Sequence, residues 1–329
     1  MIAPPFTQAG AIAGGGEEGK PMTTAVERYL QAARRESTTR RYQQALAHYE
    51  AGWGGFLPAS SDSIVRYLAE HAEVLSISTL RGHLAALARW HLNHGFVDPT
   101  KTPQVREVLR GIQALHPRPV RQAEPLQLLE LEQCVAALQL EQTSPQLSVR
   151  LRASRDRALL LLGFWRAFRS DDLCRLRIET NQLVPDEGLS LFLSRSKSDR
   201  EHQGRTVSVP ALKRLCPVQA YEEWLALSQL QRGPVFCGID RWGHLSPEAL
   251  HPYSVARVLR RALTRGGVAG ARYSGHSLRR GFATWATRNQ WSTKALMEYV
   301  GWRDVHSALR YVEADTPFGD WLRQPSESK

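Results

Sequence analysis

The chain has 329 residues, of which 42% are hydrophobic and 23% charged. That length holds about two domains of ordinary size, and the balance excludes wholesale disorder, a fibrous repeat and a polytopic membrane protein. The 43 Lys and Arg against 32 Asp and Glu leave a net charge of +11, which favours a polyanionic partner, nucleic acid before acidic membrane.

Only six of those cations are Lys and 37 are Arg. The planar guanidinium fork suits phosphate oxygens, although GC-rich coding produces the same bias. Four cysteines, Cys134, Cys174, Cys216 and Cys237, lie far apart with no C-x-x-C pair, so neither a disulfide framework nor a structural zinc site is expected. The N-terminal residues lack the basic start and apolar core of an export signal, and no apolar run reaches the roughly 18 residues of a membrane span. A soluble, unexported protein is expected.

Residues 1–21, rich in Gly, Ala and Pro and without apolar periodicity, read as a disordered arm. Residues 22–115 then repeat one kind of element, with apolar positions three and four apart as on one face of a helix. The stripes are Val26, Tyr29, Leu30 and Ala33; Tyr42, Leu46, Tyr49 and Trp53; Ile64, Tyr67 and Leu68; Leu80, Leu84 and Leu87; and Val105, Val108, Leu109 and Ile112. Five short helices packed on one another are predicted. Arg34, Arg35, Arg40, Arg41, Arg81, Arg89, Arg106 and Arg110 fall on outward faces, where each is as readily an ordinary solvated charge as a contact to a polyanion. His48, His71, His83, His91 and His94 have no partners at zinc spacing and read as surface or core side chains. Three prolines in residues 116–125 then mark an extended linker.

The second half changes character. Helical stripes are predicted over 128–138, 158–165, 218–227, 254–263, 277–288, 293–300 and 304–311, while 189–193 and 206–209 alternate as strands. The polar stretch 194–205 between those strands is expected to be a hairpin tip facing solvent or a ligand. Residues 126–315 thus form a mainly helical domain with a small antiparallel β-sheet, followed by a tail, 316–329, that carries Phe318, Trp321 and Leu322.

Residues 249–297 contain no Asp or Glu, yet include Arg257, Arg260, Arg261, Arg265, Arg272, Arg279, Arg280, Arg288 and Lys294. So one-sided a segment repels itself unless an anion neutralises it, and a nucleic-acid backbone is the natural candidate. Within it stands Gly275-His276-Ser277-Leu278-Arg279-Arg280, followed by Gly301-Trp302 and then Arg310-Tyr311. His276 and Arg279, three apart, are expected on one face of a helix's first turn. Upstream, Arg169 has Asp172 three residues on, a carboxylate able to hold its guanidinium.

H-x-x-R, a G-[HW] pair and a Tyr nine residues after it, preceded by R-x-x-[ED]-L, resemble the tyrosine recombinase (phage integrase) family. Trp302 stands where His is commoner, so the chain resembles the Cre branch most. The spacings of 28 from Arg169 to Lys197, 26 from His276 to Trp302 and 9 from Trp302 to Tyr311 resemble that branch too. One H-x-x-R is weak evidence, whereas five elements in order are specific.

The resemblance implies a mainly α fold: a helical, SAM-like core-binding domain over 22–115, and a catalytic domain over 126–315 with a small antiparallel sheet. It implies a site-specific recombinase that cleaves and rejoins DNA through a 3′-phosphotyrosyl bond and exchanges strands through a Holliday junction. No metal, ATP or other cofactor is implied, so the reaction should run in a chelator. The partners implied are duplex DNA with an inverted-repeat site and three further copies of the chain, a tetramer on two sites, without membrane. The setting implied is bacterial or phage cytoplasm, at the nucleoid. The tail would dock on a neighbouring protomer.

By the same resemblance Tyr311 is the nucleophile, Arg169 and Arg279 clamp the scissile phosphate, Trp302 donates its indole N–H to it, and His276 assists the phenol's deprotonation. Lys197, on the connection between the two strands, is the candidate acid for the leaving hydroxyl. Asp172, one methylene shorter than the Glu common in the family, would orient Arg169 or His276. DNA contacts are expected from Arg40, Arg41, Arg81, Arg89, Arg106, Arg110, Arg257, Arg261 and Arg280. A type IB topoisomerase, a catalytically silent DNA-binding regulator and, more distantly, a helical adaptor for acidic proteins remain as alternatives.

Overall fold

The computed structural model describes residues 28–29, 36–118, 122–184, 188–194 and 203–309, and the chain divides into two compact units, Met1–Val120 and Arg121–Lys329.

In the first unit, α1 (Glu36–Ala47) runs into a π-helical turn (His48–Gly52), followed by α2 (Ser61–Glu70), α3 (Ile77–Asn93) and α4 (Pro103–Leu115). Side-chain caps set two starts: Ser60 Oγ accepts from Ser63 N and Ser76 Oγ from Thr79 N, satisfying amides a helix leaves open at its first turn. Pro103 supplies the pre-set φ of a first helical position. The stripes meet in one core around Tyr49, Ile64, Tyr67, Leu68, Leu80, Leu87 and Val105. Arg40, Arg41, Arg81, Arg89, Arg106 and Arg110 are all exposed. Of the first predicted stripe, Val26, Leu30 and Ala33 lie outside the described residues, as do Arg34 and Arg35, while Tyr29 is exposed.

Three of the five histidines gather round Tyr67. Tyr67 Oη lies 2.9 Å from His48 Nδ1 and 2.6 Å from His83 Nδ1, and the His71 ring packs 4.6 Å from the Tyr67 ring. Burial pushes the Tyr67 phenol up to about 12. Burial, reinforced by His48 and His71, holds His83 below the ordinary imidazole value.

The second unit is built on α6 (Leu147–Trp165), which packs against α5 (Leu128–Gln142), α8 (Pro217–Ser228) and α10 (Gly275–Arg288). Short α7 (Ser170–Cys174) follows α6, and α9 (Pro252–Arg265) lies against α5 and α7. The chain closes its described part with α11 (Thr293–Val300) and α12 (Val305–Leu309). Strands β1 (Gln182–Val184), β2 (Gly188–Leu193) and β3 (Arg205–Pro210) form an antiparallel sheet in which Leu189 faces Val209 and Leu193 faces Arg205. β4 (Cys237–Ile239) and β5 (Leu245–Ala249) pair separately.

Two expectations change. Helix α6 begins at Leu147, not near 158, because Arg155, Asp156 and Arg157 are buried inside it rather than ending it. Arg155 Nη2 pairs with Asp156 Oδ1 at 2.6 Å and its Nη1 donates to Cys237 O at 3.0 Å, while Arg157 pairs with Glu223. Buried charge is tolerated when paired and hydrogen-bonded in this way. β1, β4 and β5 are further strands, each too short for its alternation to register. Among the described residues no helix is long and apolar enough to cross a membrane.

Candidate active site

The site grows out of the end of α6. Phe168 N donates to Gly163 O at 3.1 Å and Ala167 N to Phe164 O at 2.9 Å, a closing pattern that puts Ala167 in the left-handed region at φ +49°. That place normally takes Gly, and Ala167 is fully buried, so its carbonyl needs a partner inside the protein. Arg279 supplies it: its Nη1 donates to Ala167 O at 2.7 Å across 112 residues of sequence.

Two residues on, Arg169 stands at the start of α7, where its backbone N–H donates to Asp172 Oδ2 at 3.3 Å and its Nη1 lies 3.8 Å from the same oxygen. Asp172 is only 1% exposed and its Oδ1 has no hydrogen-bond partner among the described residues. Burial raises its pKa, opposed by the charges of Arg169, Arg279 and Arg205. One buried carboxylate therefore lies within the electrostatic reach of three guanidinium groups and is paired with one of them, Arg169.

The start of α10 reaches this point because Gly275 lies on Ser170, the first residue of α7; a Cβ there would overlap Ser170 Oγ. Ser274 caps the helix, its Oγ accepting from His276 N at 3.2 Å. His276 is exposed at this first turn, whereas Arg279 is 3% exposed with its guanidinium carbon 5.1 Å from the centroid of the Trp302 ring. Trp302, 8% exposed, follows Gly301, which ends α11 at φ +74°.

The structure thus brings Arg169, Asp172, Arg279 and Trp302 together, with His276 at the exposed lip of the same helix. Lys197 and Tyr311 lie outside the described residues, as does the tail from Val312 to Lys329. Arg257 and Arg261 are exposed on α9; Arg280 is half-buried and donates to Gln122. The acid-free segment is partly neutralised from elsewhere: Arg265 pairs with Glu141 at 2.9 Å and Arg272 with Glu124 at 2.8 Å, and Arg260 donates to Tyr273 O at 2.8 Å.

Two residues at the site escaped sequence reasoning. Arg166 is buried, stacked 3.8 Å over the Tyr299 ring, with its Nη2 donating to Tyr299 O at 3.0 Å. Arg205 is the first residue of β3, and its guanidinium lies against Gly301. A signal for it existed. Val207 and Val209 alternate inward, and Arg205 shares their face.

Among the described residues no group of three His, Cys, Asp or Glu side chains is placed to hold a metal ion. Buried, preorganised guanidinium groups in a low-dielectric setting suit one chemical task above others, the stabilisation of charge on a phosphoryl oxygen.

Residues 129–316, more than half of the chain and spanning every one of these positions, match the model of the phage integrase family. The chain belongs to the phage integrase family. This integrase-family chain is 29% identical over 310 residues to an "integrase/recombinase xerD homolog" of Selenomonas ruminantium, covering 89% of this chain and 88% of that protein. It is 22% identical over 283 residues to "recombinase cre" of Escherichia phage P1, covering 82% and 80%. Its fold is that of the XerH site-specific recombinase solved in a post-cleavage complex on a palindromic difH substrate, with TM-score 0.62 at 17% identity over 84% of this chain and 76% of that one. A lambda integrase dimer solved on a COC' core site matches with TM-score 0.54 at 18% identity, over 92% of this chain and 98% of that one.

Proposed function

We propose that this protein is a site-specific DNA recombinase that breaks and rejoins duplex DNA through a phosphotyrosyl bond to Tyr311. The observation that carries the reading is the gathering of Arg169 and Arg279 round the buried Asp172, with the Trp302 ring beneath Arg279, in a chain whose family match runs through Tyr311.

In the forward step the Tyr311 oxygen attacks the scissile phosphorus and loses its proton to His276, exposed and able to receive it at the mouth of the site. The bond to the 5′ oxygen breaks as that oxygen takes a proton from Lys197. The 3′ phosphate is left esterified to tyrosine, so the energy of the phosphodiester is kept and the ends can be rejoined without ATP. Arg169 and Arg279 hold the non-bridging oxygens, where negative charge accumulates as phosphorus gains its fifth ligand. The Trp302 indole N–H donates to the same group. Asp172 keeps Arg169 in place through the short first turn of α7. Rejoining is the same step reversed, with a 5′ hydroxyl from the partner strand.

Residues 22–115 act as the core-binding domain and 126–315 as the catalytic domain, with exposed arginines on α1, α3, α4 and α9 serving phosphate contacts. Four protomers hold two inverted-repeat sites and exchange strands in two rounds, the tail of each docking on its neighbour. The protein works on the nucleoid in the cytoplasm. The test is to select bound sequences from a random DNA library and place two copies of the selected site on one plasmid. Recombinant circles that appear only with both sites are expected. Relaxation of any supercoiled plasmid without a site, and no recombinants, would overturn the reading.

A further inference from the structure

Arg205 lies at the meeting point of three parts of the candidate site. As the first residue of β3 it faces Leu193 across the sheet, and its inward alternation with Val207 and Val209 drives the side chain into the second unit. There the guanidinium lies flat on Gly301: a Cβ built on that residue would overlap its Nη1 and come within 2.7 Å of Cζ and 2.8 Å of Nη2. Gly301 also holds φ +74°, so both its conformation and its neighbour require glycine. The other end of the same turn, Trp302, is covered by Arg279. The Gly301–Trp302 turn is therefore held between two arginines that come from different elements.

The charge environment is as specific. Burial lowers the pKa of Arg205, and so do the neighbouring Arg166 and Arg169, while Asp172 opposes them. Its Nε is buried without a hydrogen-bond partner among the described residues. A cation in so unfavourable a place persists only when surrounding structure imposes it; here the guanidinium lies against Gly301, and Asp172 is the carboxylate whose charge favours it.

Resting on the recombinase reading, we propose that Arg205 is a positioning residue for DNA cleavage, bracing the Gly301–Trp302 turn so that the indole N–H meets the phosphate. It acts through the turn and not by touching the phosphate. A neutral phosphate still accepts the indole N–H through its remaining oxygen, so most of what Arg205 contributes survives on it, which separates it from Arg169 and Arg279.

The experiment measures single-turnover cleavage of a nicked suicide substrate, with an ordinary or a methylphosphonate group at the scissile position, alongside DNA affinity. Arg205→Ala should slow cleavage about 10- to 100-fold, as a displaced donor does, with affinity within about threefold of wild type and the same deficit on both substrates. Arg205→Lys keeps a cation near Asp172 and cannot lie flat on Gly301, so it should keep the melting temperature and still show the deficit. Gly301→Ala should slow the wild type strongly and add little to either Arg205 variant. The proposal is overturned by a deficit that vanishes on methylphosphonate, by wild-type cleavage from Arg205→Lys, or by multiplicative Gly301 and Arg205 effects. Wild-type protein that forms no adduct on any substrate would instead overturn the recombinase reading.

Discussion

Replacing Arg279 by Met separates the guanidinium's charge from its bulk. Arg279 is 3% exposed, donates to Ala167 O at 2.7 Å and stacks on the Trp302 ring. Losing a hydrogen bond from a charged donor costs about 2 kcal/mol, and losing the ring contact about 1 kcal/mol. Against this, removing one of several crowded cations around Asp172 relieves repulsion and desolvation, so the net loss of stability should stay below about 3 kcal/mol. Cleavage should suffer more. One preorganised donor removed from a site of developing charge typically costs about 10²- to 10³-fold in rate, or roughly 3 to 4 kcal/mol of transition-state stabilisation. The assay is single-turnover adduct formation on a nicked suicide substrate, at protein concentrations that saturate the DNA and below the variant's melting temperature. A methylphosphonate at the scissile position carries no negative charge to neutralise, so the gap between variant and wild type should narrow to about tenfold or less. Cleavage by Arg279→Met within about threefold of wild type, or a gap of equal size on the neutral substrate, would refute the assignment of Arg279 to the phosphate.

Gly275→Ala should lower stability by about 1 to 2 kcal/mol through overlap with Ser170 Oγ; adding Ser170→Ala should recover most of it, read by thermal unfolding. The first unit should lose stability on acidification. His83 has a lowered folded pKa, so its contribution is fully present above the unfolded value of about 6.5 and is lost as pH falls through the lower folded value. Urea unfolding followed from pH 7.5 to 5 should show that loss, and His83→Gln should flatten the slope. Treatment with EDTA should leave single-turnover cleavage within about twofold of the untreated rate.

Much of the fold was legible because the patterns were regular. Ile64, Tyr67 and Leu68, and then Leu80, Leu84 and Leu87, became the buried face of the first unit. Alternation in 189–193 and 206–209 became the antiparallel pair of β2 and β3. The reading failed where local pattern and tertiary context diverged. Arg155, Asp156 and Arg157 look like a solvated break, yet pairing with Glu223 and Cys237 O lets α6 run through them. The acid-free segment looked unneutralised because Glu124 and Glu141 approach only in space. At the site, Arg169, Asp172, Arg279 and Trp302 were readable from their order along the chain. Arg166 was not, and Arg205 offered only its place on the inward face of Val207 and Val209, since their meaning depends on Tyr299 and Gly301 about a hundred residues away or more.

The most direct measurement concerns Tyr311 itself. Wild-type protein trapped on a nicked substrate should give a covalent adduct whose digestion yields a single DNA-linked peptide, with the 3′ phosphate on Tyr311; Tyr311→Phe should bind the same DNA and give none. An adduct on another residue, or undiminished cleavage by Tyr311→Phe, would contradict the account.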